Sequence, residues 1–336
     1  MSESKVKVGI LGAGSMGFEH ADCYRAIETA EVACVFSRNR ERARAAARIC
    51  NAKPVSDPFA LINDRSIDAI DVCLPSANHR EFVTAALQQG KHVFCETPFA
   101  LQLEDAQAMI EAARKSAKIL LVGLLMRSTA QYEHIHRVAA SGELGRILSV
   151  VTYRLGSYLR AGAPDHKEHY SDPSTELMTF DFDFVQWLLG QPRRVTATAV
   201  DTEHGLPGEI SAVLDYEGSG AATVLASGIM PVSFPFSTGF RVVFERGAFE
   251  LGFVFEDGPP KSTFTFSPER GTREAVAIPG HNPYEKELRH FVACIRKEAD
   301  PTLLAAERAW ETLKLSLATQ RSLREHQSID VNTIGV

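Results

Sequence analysis

A chain of 336 residues exceeds the roughly 250–300 residues at which a single hydrophobic core stops growing, so two domains are expected. Its 45% hydrophobic and 23% charged residues and formal net charge of −6 exclude the basic excess of a polyanion binder, and no apolar run approaches the ~20 residues of a bilayer span. The short polar stretch before Val6 does not have the pattern of a secretory signal. The six cysteines, Cys23, Cys34, Cys50, Cys73, Cys95 and Cys294, show no CxxC pairing, which reads as buried thiols in a reducing cytoplasm.

From the N-terminus, apolar strand patterns at Val6–Leu11, Val32–Phe36, Ala69–Leu74, His92–Cys95 and Ile119–Leu124 alternate with helical ones. The first helix carries Met16, His20, Cys23, Tyr24 and Ile27 on one face; others run over Glu41–Ile49, Glu81–Gln89 and Glu104–Ser116. Strict alternation of this kind demands a parallel sheet. Gly90 stands where a left-handed helix cap is expected.

Between the first strand and first helix lies Gly12-Ala13-Gly14-Ser15-Met16-Gly17. GxGxxG is a weak signal by itself, but after an apolar strand and at the start of an amphipathic helix it reads as a dinucleotide-binding turn. Gly12 permits the turn, Gly14 lets a pyrophosphate approach the main chain, and Gly17 lets helix and strand pack; Ser15 and Met16 offer helix N-terminal amides. At the end of the second strand, where an acidic residue would bond the ribose 2′-hydroxyl of NAD, the chain has Ser37-Arg38. Serine removes the repelling carboxylate and arginine pairs with a 2′-phosphate, so NADP(H) is expected over NAD(H). Against this stands the reading of Arg38, with Arg40, Arg42 and Arg44, as the start of a solvated helix face.

The texture changes after a helix at Gln131–Ala140. Strand patterns follow at Arg146–Tyr153, Val195–Val200, Ser211–Tyr216, Ala221–Ser227, Arg241–Phe244 and Phe249–Phe255, and two helices, Pro283–Lys297 and Leu303–His326, close the chain. The expected fold is α/β: a Rossmann domain with a parallel sheet over 1–126, then an α+β domain with a large open, mainly antiparallel sheet over 127–336. Several later strands are apolar on both faces, as in Val195–Val200, which implies a homo-oligomer through the open sheet.

These motifs resemble the glucose–fructose oxidoreductase/inositol dehydrogenase/MocA (Gfo/Idh/MocA) family over essentially the whole chain. The resemblance is carried by the glycine turn, Asp68-Ala-Ile-Asp-Val-Cys-Leu-Pro75, Ala86-Leu-Gln-Gln-Gly-Lys-His-Val-Phe-Cys-Glu-Thr-Pro98 and Gly142-Glu-Leu-Gly-Arg-Ile147. It implies that Leu74, Pro75, His79, Glu96, Thr97 and Pro98 line the cofactor. Sugar and cyclitol dehydrogenases of the family carry Glu-Lys-Pro, where this chain has Glu96-Thr97-Pro98. They also carry an Asp and a His four residues apart on a helix ending like Trp187-Leu-Leu-Gly190; here Glu176 and Phe180 hold those places, with Asp183 retained downstream.

Oxidising an alcohol requires a group that takes the hydroxyl proton, and reduction requires a donor. Thr97 hydrogen-bonds or relays but does not titrate near neutrality, and Phe180 does neither. Glu176 keeps a carboxylate. Asp165-His166-Lys167-Glu168-His169-Tyr170 concentrates acid–base groups, so His166, His169 and Tyr170 join the candidates, although a plain solvated loop reads equally well. The HxxH of His166 and His169 has no third ligand, and no metal is expected. Arg127, after the fifth strand, is a candidate for holding an anionic substrate or a surface salt bridge. The expected function is therefore an NADP(H)-dependent oxidoreductase acting on a small carbonyl, imine, conjugated or sugar-like substrate without the usual lysine, with no nucleic acid or membrane partner. The alternatives are a non-catalytic dinucleotide sensor and a transient-redox, glycosidase-like lyase.

Overall fold

The computed structural model describes residues 5–160, 172–202, 205–218, 220–256 and 260–335. The chain divides into two compact units, Met1–Ser128 with His281–Trp310, and Thr129–Gly280 with Glu311–Val336.

The first unit is built in chain order from β1 (Val6–Leu11), α1 (Ser15–Tyr24), β2 (Ala30–Phe36), α2 (Arg40–Ile49), β3 (Lys53–Val55), α3 (Pro58–Asn63), β4 (Ala69–Val72), α4 (His79–Gln88), β5 (His92–Cys95), α5 (Leu103–Ser116) and β6 (Leu120–Val122). Its six strands are parallel in the order β3-β2-β1-β4-β5-β6. The central strands are apolar on both faces because both faces are covered: Val8, Ile10, Ile70, Val72, Val93 and Phe94 are completely buried. Gly90 takes the left-handed conformation expected of it, at φ +73°.

Two elements of this unit, β3 and α3, escape the sequence pattern. β3 has three residues, two of them exposed, and contains Pro54, so neither length nor alternation marks it. The six-residue α3 is signalled only by its Asp57 cap and Pro58. The first stretch of this unit ends at Ser128, two residues past the expected boundary at 126, and His281–Trp310 returns to it. That segment carries the helix Pro283–Ile295, whose Leu288, Phe291 and Val292 are fully buried, with the Phe291 ring 5.6 Å from that of Phe94. An apolar helix face states that it is buried, not against which sheet.

The second unit contains α6 (Ala130–Ser141), β7 (Ile147–Leu155), α7 (Pro173–Glu176), α8 (Met178–Leu189), β8 (Arg194–Asp201), β9 (Pro207–Asp215), β10 (Ala221–Ser227), β11 (Phe236–Phe244), β12 (Gly247–Phe255), β13 (Lys261–Pro268) and β14 (Glu274–Ala275). The returning helix of the first unit is then α9 (Pro283–Ile295), followed by α10 (Ala306–Glu325) and β15 (Ile329–Asp330). Among the described residues nine strands form one open sheet, β14-β13-β12-β11-β7-β10-β9-β8-β15, and only its β7–β10 pairing is parallel. On β8, Val195 and Ala197 are buried and Thr196, Thr198 and Val200 exposed, so its outer face is part threonine rather than wholly apolar. All six cysteines are free thiols. Among the described residues, no helix is long and apolar enough to cross a membrane.

Candidate active site

In the parallel sheet the chain leaves β1 towards β2 and β3, then returns on the other side of β1 as β4. The loops after β1 and β4 therefore diverge at the carboxyl ends of their strands, which opens a crevice where α/β sheets bind ligands. Three loops meet there: the glycine turn after β1, residues 73–78 after β4, and 96–98 after β5.

The three glycines have different reasons to be glycine. Gly12 has φ +116°, and a Cβ there would lie 2.2 Å from the Cys73 carbonyl oxygen. A Cβ on Gly17 would lie 2.1 Å from the Gly12 carbonyl oxygen. Gly14 is extended, with φ −78°, and a Cβ there would meet nothing within 4 Å. Gly12 and Gly17 serve the fold, whereas Gly14 borders open space. Ser15 is exposed and Met16 half-buried. No side chain caps α1 and its first turn has no acidic residue, so its amide donors and positive dipole end remain available to an anion.

At the end of β2, the Ser37 hydroxyl accepts a hydrogen bond from the Asn39 amide (3.2 Å), and Asn39 caps α2 through the Glu41 and Arg42 amides. Arg38 is exposed and forms no ion pair among the described residues. After β4, Leu74 is half-buried and Pro75 exposed. His79 is fully buried: its Nε2 lies 2.7 Å from the Leu74 carbonyl oxygen and its Nδ1 3.3 Å from the Cys95 sulfur. Burial pushes the imidazole pKa down against the Leu74 and Phe99 carbonyls, the latter 3.1 Å from Nδ1. His79 thus braces the 73–78 loop through the Leu74 carbonyl.

After β5, Thr97 is half-buried and Pro98 buried. The Thr97 hydroxyl donates to the Gly123 carbonyl oxygen, which leaves its lone pairs as the outward-facing function. The Thr97 amide donates to Glu96 Oε2 at 3.0 Å. Glu96 is only 9% exposed, and its Oε1 lies 2.7 Å from Nε2 of the buried His20, whose Nδ1 donates to Asp71 at 2.9 Å. Burial opposes a charge on His20, but Cys73 and then Asp71 beside it outweigh burial and hold the imidazole well above its ordinary pKa. His20 and Asp71 had only an indirect signal in the sequence, as polar residues on an otherwise apolar helix face and within an apolar strand.

Arg127 is 5% exposed and its guanidinium donates to the Leu303 carbonyl oxygen at 3.3 Å. The side chain is thus buried, away from the open surface that a solvated salt bridge would occupy. In the second unit, Glu176 ends α7 and is half-buried, and Phe180 lies in the first turn of α8. The Arg154 guanidinium sits 4.8 Å from the Phe180 ring centroid and pairs with buried Asp181 at 3.0 Å. Burial raises the Asp181 pKa against the lowering effect of Arg154. Neither Arg154 nor Asp181 was singled out by the sequence. His166, His169 and Tyr170 lie outside the described residues.

Residues 6–124 match the family described as "Oxidoreductase family, NAD-binding Rossmann fold", and residues 132–250 match the GFO/IDH/MocA C-terminal domain. The chain belongs to the Gfo/Idh/MocA family. It is an NAD(P)-dependent oxidoreductase. It is 25% identical over 343 residues to myo-inositol 2-dehydrogenase of Thermotoga maritima, covering 98% of this chain and 99% of the relative. It is 24% identical over 346 residues to scyllo-inositol 2-dehydrogenase (NAD(+)) of Bacillus subtilis, covering 98% and 97%. In fold it is similar to levoglucosan dehydrogenase in complex with NADH and levoglucosan, with a TM-score of 0.84, 19% identity, and 98% and 100% of the two chains covered. The open space at Gly14 and the uncapped start of α1 fit the diphosphate of a nicotinamide dinucleotide.

Proposed function

We propose that this protein is an NADP(H)-preferring dehydrogenase or reductase of a small sugar-like substrate, a polyol or its carbonyl counterpart. The observation that carries the reading is the glycine turn: the fold demands Gly12 and Gly17, whereas Gly14 is needed only if something approaches the main chain there. The substrate class is supported by relatives named for inositols, among carbonyl, imine and conjugated alternatives. Gly14, Ser15 and Met16 would hold the diphosphate, Ser37 and Arg38 the 2′-phosphate, and Leu74, Pro75, Thr97 and Pro98 the nicotinamide side. When bound, the cofactor supplies or accepts the hydride.

The chain's own task is the proton. Thr97 donates inward to Gly123, so towards a substrate it accepts a hydrogen bond and orients a hydroxyl. Glu176 is the carboxylate we assign to proton transfer, with His166, His169 and Tyr170 as further candidates from the preceding loop. Exposed Leu148, Val200 and Val213 on the open sheet support association with a second copy.

The test follows the near-ultraviolet absorbance of reduced nicotinamide with purified protein. NADPH and NADH are offered with keto-sugars, ketocyclitols, imines and enones, and the oxidised cofactors with cyclitols and sugars. Turnover of a sugar-like compound, faster with the phosphorylated cofactor, is the expected result. Tight NADPH binding without turnover of any compound would overturn the reading in favour of a dinucleotide sensor.

A further inference from the structure

Beneath the crevice the first unit buries more acid than base. Asp71 on β4, Glu96 at the end of β5 and Glu287 on α9 surround His20 of α1, with exposures of 0, 9, 1 and 0% respectively. One ligand-type atom from each of His20, Glu96 and Glu287 lies within 4.8 Å of the others. His20 Nε2, Glu96 Oε1 and Glu287 Oε2 are buried and have no aligned hydrogen-bond partner among the described residues. The charges acting on Glu287 are those of Glu96, His20 and Asp71, of which only His20 is basic. Three carboxylates against one imidazolium would leave a net negative charge in a poorly solvated interior, so a further positive species must reside there.

The separation of the atoms decides which species it is. Two ligands at about 2.0–2.1 Å from a tetrahedral zinc stand roughly 3.3 Å apart. His20 Nε2 and Glu96 Oε1 are 2.7 Å apart, closer than two ligands of one metal ion stand. The other polar groups facing the cluster are Glu19 and Tyr24 on α1, Cys73 after β4, and Tyr284 on α9. Burial raises Tyr24, Cys73 and Tyr284, so these remain neutral.

We propose that Glu287 is a positioning residue of the cofactor site: un-ionised, it shares a buried proton with Glu96 beside the His20 imidazolium, and so fixes Glu96 and, through it, the Thr97 amide at the crevice. This rests on the reading of residues 96–98 as lining the cofactor. Burial, and then the charge of Glu96, push the Glu287 carboxyl well above its ordinary value, in agreement with the geometry. Because Glu287 and His20 are both raised, the arrangement is complete below their unfolded pKa values and is lost as pH rises through the folded ones.

The experiment compares the wild-type protein with Glu287→Gln, which keeps a neutral donor, and Glu287→Leu, which removes it. Infrared spectra of the wild type at neutral pH should contain the carbonyl stretch of a buried un-ionised carboxylic acid, absent in E287Q. E287L should bind NADPH about tenfold more weakly, and E287Q should restore binding to within about threefold. Wild-type affinity should decline towards alkaline pH, and E287Q, which keeps only the His20 titration, should decline less. Absence of the infrared band, or equal damage by E287Q and E287L, would overturn the proposal, as would a stoichiometric metal that chelation removes and E287Q abolishes. If the wild type binds no dinucleotide, the reading of the crevice fails separately. The infrared band and the pH dependence of thermal unfolding then still decide where the proton resides.

Discussion

The glycine turn allows the fold and the binding site to be perturbed separately. In Gly12→Ala, the new methyl would lie 2.2 Å from a backbone carbonyl oxygen at φ +116°, a conformation that L side chains avoid. Overpacking costs about 1–3 kcal/mol and the backbone strain a further ~1–2 kcal/mol. At about 2–4 °C per kcal/mol for a unit of this size, the apo protein should melt roughly 4–20 °C lower. Gly14→Ala adds its methyl to empty space at an ordinary extended φ of −78°. It reduces only the freedom of the unfolded chain, which stabilises by about 0.4–1 kcal/mol and raises the apo midpoint by ~1–4 °C. The same methyl occupies the approach to the main chain, so loss of hydrogen bonds to a charged diphosphate, about 1.5–3 kcal/mol, weakens NADPH by roughly 10–150-fold. Scanning calorimetry of the apo proteins and fluorescence titration of NADPH read the two effects. A G14A protein that binds NADPH like the wild type would refute the placement of the diphosphate. One that melts as low as G12A would refute the account of the open space.

Arg38→Ala should weaken NADPH about tenfold while leaving NADH within about twofold; equal affinities for the two cofactors in the wild type would remove the basis for the NADP preference. Glu176→Gln should lower kcat by about 10²–10⁴-fold with little change in the apo melting temperature, and an unchanged kcat would take Glu176 out of the chemistry. Arg154→Ala leaves Asp181, fully buried, without this counter-charge. Urea unfolding should show a loss of about 3–5 kcal/mol at neutral pH. The loss should shrink in acid, where Asp181 takes up a proton, because a raised carboxyl pKa confers stability that is lost as pH rises.

The sequence alone determined the parts whose causes are local. Val6–Leu11, the three glycines and the face of α1 follow from strand burial, turn stereochemistry and helical spacing, all within about 20 residues. Ser37-Arg38 was legible because its distance from the glycines is set by one strand–helix–strand unit. Thr97, where the family resemblance implies a lysine, was equally legible as a residue identity in a recognisable motif. Only the tertiary structure decided that His281–Trp310 returns to the first unit and that Lys53–Val55 is paired at all. It turned His79 and Arg127 inwards. It also assembled His20, Asp71, Glu96 and Glu287, spread over 268 positions of chain, into one buried cluster. Periodicity reports that a face is covered, but the covering element and the charge beside a buried acid are set by long-range packing, which a local pattern does not encode.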